Sequence, residues 1–249
     1  MNLLEVQDLT QIFPDGTVAL RGVNLTVEQG EFLIIAGRNG SGKTVLARHL
    51  NGLLLPTGGR VLFRDQPITD NLVNARMRIG LIFQDSLSQL VGQTVAEDVA
   101  FGPENLGLSR EEVKRRTLEA LDAVGLSELA EAVPQRLSGG QQRRVAIAGV
   151  LAMKPELIVF DEPFTGLDYP GVVQVLQELC KLHQNGSTLI VITHDLEKIL
   201  AHADRMVIMA EGVVVEAGVP AAVLAKVEQY GIKRPYGADR EIGTMTWLS

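Results

Sequence analysis

The string Gly37-Arg38-Asn39-Gly40-Ser41-Gly42-Lys43-Thr44 has the composition and spacing of a phosphate-binding loop. Its glycines let backbone N–H groups converge on phosphate oxygens without Cβ obstruction, with Asn39 and Ser41 completing the wrap. A helix opening near Lys43 adds partial positive charge at its N-terminus. Lys43 can reach the β- and γ-phosphates, and Thr44 offers a hydroxyl ligand to Mg²⁺. Alone, this loop specifies a nucleotide-phosphate binder, a class that includes small-molecule kinases and GTPases.

Two further groups narrow the chemistry. The apolar run Leu157-Ile158-Val159-Phe160 ends in Asp161 and Glu162. Asp161 suits a water-mediated Mg²⁺ contact, and Glu162 is placed to hold an attacking water in line and accept its proton. The segment Leu137-Ser138-Gly139-Gly140-Gln141-Gln142 sets a hydroxyl and two glycines at a helix start, where free N–H groups make a second anion site. One nucleotide already has its phosphate loop. A symmetric head-to-tail dimer explains the second site, because each chain then completes the other's.

The elements that must position these groups alternate. Short β-rich pieces precede an apolar strand at 32–36 that runs into the phosphate loop. Strands are predicted at 61–63, 79–83, 157–160 and 188–192, with two more around the Glu211-Gly212 turn. Helices are expected at 141–152, at 172–179 and from Asp195. Between 85 and 137 the pattern is mainly helical, with Val113, Thr117, Leu121 and Val124 forming a stripe behind the cap Ser109 and Glu112 at capping-box spacing. Repeated strand–helix alternation predicts a mostly parallel α/β sheet covered on both faces.

The motif set, in this order, resembles the ATP-binding-cassette (ABC) ATPases over roughly residues 3–224. The resemblance implies a RecA-like P-loop NTPase core with an N-terminal antiparallel β subdomain and an inserted helical subdomain. It divides one ABC domain, 1–249, into a core (1–84 and 138–225), a helical subdomain (85–137) and a tail (226–249). It implies that Phe13 stacks on adenine and that Gln84 senses Mg²⁺ and links core to helical subdomain. Thr165-Gly166-Leu167-Asp168 would cross a dimer interface, and His194 would contact the γ-phosphate. Catalysis would then rest on Glu162, His194 and Gln84, and Mg²⁺ on Thr44, Gln84 and Asp161. ATP would be held by Phe13, the loop 37–44 and Asp168, with Ser138, Gly139, Gly140 and Gln141 supplied by the second chain. His49, His183 and His202 lack such motif context and are read as structural.

The string at 99–108, Val-Ala-Phe-Gly-Pro-Glu-Asn-Leu-Gly-Leu, and that at 141–153 look like the ATPases of energy-coupling-factor (ECF) importers for vitamins or for metal ions such as cobalt and nickel. Such ATPases pair beneath a transmembrane scaffold subunit with a separate substrate-binding membrane subunit. A groove near 84–91 would receive the scaffold's cytoplasmic helices. Phe164 departs from the threonine frequent there, and 86–93 lacks the usual sequence after the glutamine. The alternative is a soluble cassette acting in DNA repair or translation. Those proteins usually carry tandem cassettes, coiled coils or zinc modules, which this sequence lacks.

Composition agrees. A net charge of −7 argues against bulk nucleic-acid or anionic-lipid binding. Cys180, the one cysteine, excludes an intrachain disulfide and a cysteine-cluster zinc site, and reads as buried filler. No apolar run approaches the ~20 residues of a membrane span, and Glu5 and Asp8 interrupt any secretory signal. The expected location is the cytoplasmic face of a membrane, as a peripheral subunit. The tail aromatics Tyr230, Tyr236 and Trp247 are expected to dock on their own domain.

Overall fold

A computed structural model describes residues 1–85, 87–235 and 242–248; Ser86 and Tyr236 therefore lie outside the described residues. In chain order the elements are β1 (Asn2–Ile12), β2 (Val18–Glu28), β3 (Phe32–Ala36), α1 (Lys43–Leu50), β4 (Gly58–Phe63), β5 (Gln66–Pro67), α2 (Leu72–Arg78) and β6 (Ile79–Ile82). Then follow α3 (Val95–Asn105), α4 (Arg110–Ala123), α5 (Gly139–Ala152), β7 (Leu157–Asp161) and α6 (Tyr169–Gln184). The last are β8 (Thr188–Ile192), β9 (Arg205–Ala210), β10 (Val213–Gly218) and α7 (Pro220–Leu224).

Two sheets form. The larger has strand order β10-β9-β3-β8-β7-β6, parallel throughout except for β10 at one edge. The smaller, β2-β1-β4-β5, is antiparallel. Alternation along the parallel strands divides the interior into two cores. Phe32, Ile34, Ile158, Phe160, Leu189 and Val191 face α3 to α6 and their loops. Leu33, Ile35, Leu157, Val159, Ile190 and Ile192 face α1 and the antiparallel sheet. Burial on both faces is why these strands read as unbroken apolar runs. β1 and β2 are longer than the sequence pieces suggested, because irregular register along their pairing disturbs the clean alternation.

Caps fix the helix starts that matter for the site. Ser138 accepts from Gln141 N at 3.3 Å while the Gln141 side chain accepts from Ser138 N at 2.9 Å, a reciprocal box worth about 1 kcal/mol. Thr94 and Glu97 do the same for α3. At α4 only half of the expected box forms. Ser109 accepts from Glu112 N, but the Glu112 carboxylate is drawn to Arg115 and Arg116 instead. The helix expected from Asp195 is also corrected: the chain makes two 3-10 turns, Leu196–Lys198 and Leu200–His202. Leu196, Ile199 and Leu200 are all buried, and the non-helical φ of −139° at Ile199 breaks helical continuity.

Among the described residues, no helix is long and apolar enough to cross a membrane. Cys180 is half-buried against the core, and burial pushes its thiol up to about 11, the state of an inert filler. Tyr230 and Trp247 dock on their own chain, as expected.

Candidate active site and its second anion face

β3 delivers the chain into the phosphate loop at the carboxyl edge of the parallel sheet. Gly42 stands at the N-cap of α1 with φ +98°, and no side chain caps the first turn, so its N–H groups stay available. A Cβ at Gly42 would also lie 2.8 Å from Ala19 O. The loop is thus pressed against β2, whose hairpin turn holds Phe13, half-buried, through Phe13 N to Thr17 O at 2.9 Å. Asn39, Gly40 and Thr44 are exposed, whereas Ser41 and Lys43 are buried. Lys43 Nζ donates to Gly37 O at 2.7 Å and Arg38 O at 2.9 Å. Burial pulls the Lys43 pKa down, and the nearby Glu162 and Asp161 push it back.

β7 carries Asp161 and Glu162 to the same edge, both under a tenth exposed. Burial raises the Asp161 carboxyl; Thr44's hydroxyl opposes that rise, Glu162 adds to it, and Lys43 and Arg48 oppose it more weakly. Asp161 Oδ1 and Ser41 Oγ are buried without hydrogen-bond partners. Unsatisfied buried oxygens of this kind need a ligand, water or ion. Glu162 sits in the left-handed region at φ 49°, its N–H given to Ile192 O at 2.9 Å. That backbone turn points the carboxylate at His194, whose Nδ1 is 2.9 Å from both Glu162 oxygens. Side chains from β7 and from the end of β8 therefore meet, as a water-activating pair requires.

Gln84, just after β6, is exposed. Its segment is fixed by a residue the sequence reading did not single out. Arg143, on the second turn of α5 and only 3% exposed, donates to Phe83 O at 2.6 Å and to Gln84 O. Asp161 and Asp85 offset part of the burial penalty on its charge. One signal was available: an arginine pair, Arg143-Arg144, inside an apolar helix must aim at least one guanidinium inward toward acceptors.

Ser138, Gly139, Gly140 and Gln141 do not join the phosphate loop. They line a separate concavity of about 410 Å³ with Asp168 and Gly171. Asp168 caps α6 by accepting from Gly171 N at 3.0 Å. A Cβ on Gly139 would meet nothing within 4 Å, and one on Gly140 nothing closer than 3.9 Å. Among the described residues, nothing demands glycine there. The other histidines are engaged elsewhere: His49 with Val45 O and Gln11, His183 with Gly30 O, and His202 with Thr246.

This arrangement fits a nucleoside-triphosphate hydrolase, and comparison with known proteins agrees. The family model described as ABC transporter matches residues 20–165. The energy-coupling factor transporter ATP-binding protein EcfA of Methanocaldococcus jannaschii is 46% identical over 231 residues, covering 92% of this chain and 83% of the relative. Among solved structures, cbiO1 of Clostridium perfringens, part of the ABC transporter complex cbiONQ, matches with TM-score 0.82 and 38% identity over 92% of both chains. A dimeric post-hydrolysis state of the ATP-binding cassette MJ0796, bound to ADP and Pi, matches with TM-score 0.79 and 32% identity, covering 87% of this chain and 98% of that one. The chain belongs to the ABC transporter ATPase family and is an ATPase.

Proposed function

We propose that the chain is the ATP-hydrolysing subunit of an ECF-type importer for a vitamin or transition-metal ion, working as a nucleotide-sandwich dimer at the cytoplasmic face of a membrane. The observation that carries the transport reading is an apolar groove of about 550 Å³ beside the Gln84 segment. It is walled by α2, β6, α3 and α5, and leaves Leu53, Val73, Val91 and Phe101 exposed. Asp98 shapes its rim by accepting from Val91 N at 2.6 Å and Gly92 N at 2.8 Å. A contiguous apolar hollow of this kind suits helices of a membrane scaffold. The relatives' names support an energy-coupling role, and the place of cbiO1 in the transporter complex cbiONQ supports work within a multi-subunit transporter.

In this reading, Lys43 and the loop N–H groups bind the β- and γ-phosphates, and Phe13 faces the base. Asp161, whose Oδ1 is buried without a partner, would hold Mg²⁺ together with the Thr44 hydroxyl and the Gln84 side-chain oxygen, an all-oxygen donor set suited to that ion. The metal, when bound, neutralises charge on the phosphates. Glu162 orients water and takes its proton, and His194 holds the Glu162 carboxylate in place while reaching toward the γ-phosphate. The partner's Ser138-Gly139-Gly140 face closes over the nucleotide, excluding bulk water.

The test is affinity capture of the tagged chain from its native membranes, with the co-purifying proteins identified by mass spectrometry. A polytopic scaffold and a small substrate-binding membrane protein are expected. Recovery of soluble nucleic-acid machinery alone would refute transport while leaving the ATPase intact.

A further inference from the structure

Two features have no part in the hydrolytic site as described: phenylalanine at 164 and the aromatic C-terminal segment. They meet at Lys198. The Lys198 side chain is only 12% exposed, and its ammonium bonds Asp195 Oδ2 at 2.6 Å. The same ammonium lies over two rings, 5.7 Å from the Phe164 ring centre and 4.9 Å from that of Trp247. A lysine on a flexible stem ordinarily samples many rotamers; two rings and a carboxylate leave this one a single seat.

The segment bearing Trp247 is itself anchored. Met245 is buried and its carbonyl accepts from Ala201 N at 3.1 Å, while Thr246 Oγ1 lies 2.8 Å from His202 Nε2. Trp247 N donates to Lys198 O at 3.4 Å, and its ring lies 5.4 Å from that of Tyr169, the residue after Asp168. Toward the site, Asp195 Oδ1 is 3.8 Å from His194 Nε2. The chain of contacts therefore runs from the C-terminal indole through Lys198 and Asp195 to the His194–Glu162 pair.

We propose that Trp247 is a positioning residue for hydrolysis: it clamps Lys198 against Phe164, Lys198 fixes Asp195, and Asp195 steadies His194 against Glu162. Through Tyr169 the same indole touches the start of α6, so the clamp joins the histidine loop to the segment around Asp168. The proposal rests on His194 and Glu162 forming the hydrolytic pair. It also gives the phenylalanine at 164 a task, since a threonine there would offer no ring to the ammonium.

The experiment is steady-state ATP turnover by the chain, with any co-purifying partners, for Trp247→Ala, Trp247→Phe, Lys198→Met, the Trp247→Ala/Lys198→Met double variant and His194→Ala. Trp247→Ala should lower kcat about tenfold with little change in KM, the mark of lost positioning rather than lost binding. Trp247→Phe should recover most of the rate. The double variant should be no slower than the worse single one, since both break one linkage. Trp247 is the one tryptophan of the chain, so its fluorescence reads the clamp directly. Lys198→Met should red-shift its emission and increase acrylamide quenching while the melting temperature holds.

Wild-type turnover in Trp247→Ala, losses that multiply in the double variant, or unchanged emission in Lys198→Met would each overturn the clamp. His194→Ala separates the two layers. If it turns over normally, the reading of the hydrolytic pair fails; if it is inactive while Trp247→Ala is not, only the clamp fails.

Discussion

The two helix N-termini that the proposed function assigns to phosphate are built in opposite ways. At α1 the glycines are dictated from within: Gly42 is left-handed and would strike Ala19, and Gly37 would collide with Met209 O. A buried lysine completes that site, and Ser41 Oγ waits without a partner. At α5 the capping box takes the Gln141 N–H and leaves those of Gly139 and Gly140, a Cβ on either glycine would strike nothing closer than 3.9 Å, and the cation lining the concavity, Arg144, is only half-buried. The loop and lysine of the first are assembled from within one chain. The second has the form of a surface kept bare so that something can come close to it.

Variants can break or sharpen that contrast. The largest effect belongs to Glu162→Gln. It keeps size and ATP affinity but removes the proton acceptor, so turnover should fall by about 10²–10⁴, and size-exclusion chromatography with Mg-ATP should show a trapped dimer. A monomer under saturating nucleotide would undermine the sandwich. Lys43→Ala comes next. Losing charge-assisted bonds of about 1.5–3 kcal/mol should weaken ATP binding roughly tenfold to a hundredfold by fluorescent-nucleotide titration. The contrast itself is tested by two alanines. Gly42→Ala should lower unfolding stability by about 1–3 kcal/mol through backbone strain, whereas Gly139→Ala should leave it within about 0.5 kcal/mol. Gly139→Ala should nevertheless slow turnover, because its methyl group stands where the partner's nucleotide would approach. Equal destabilisation by both would erase the distinction.

The smallest effect concerns pH. Burial lowers the His49 pKa below its usual 6.5, so the folded chain holds that ring neutral while the unfolded chain readily protonates. The stability it contributes is full above that ordinary value and is lost as the pH falls toward and through the depressed one. His49→Gln should flatten the acid side of a stability-versus-pH curve; an unchanged slope would show that other groups dominate it.

How much of this was legible beforehand follows from where each signal resides. The phosphate loop and the Asp161-Glu162 strand end were readable because their chemistry is local, requiring fixed types at fixed spacing. The parallel strands were readable because burial on both faces leaves only apolar residues. Arg143 escaped notice because its value depends on two carbonyls about sixty residues upstream, Phe83 O and Gln84 O. The turns after Asp195 read as a helix because Leu196, Ile199 and Leu200 have helical spacing, and only their seats in the core break it. Phe164 registered as a departure from a pattern, and the ring it offers to Lys198 became visible only in three dimensions.

The order of strands in the larger sheet also bears on how the chain is made. β3, completed by residue 36, lies between β8 and β9, which span residues 188–210. A ribosome must therefore synthesise about 150 further residues before that strand gains either neighbour, although β1, β2 and β4 can pair among residues up to 63. For many seconds of synthesis at ~5–20 residues per second, the most apolar strand of the future nucleotide site emerges without its partners. Nascent chains stalled before β8 should therefore be the ones that chaperones hold most firmly.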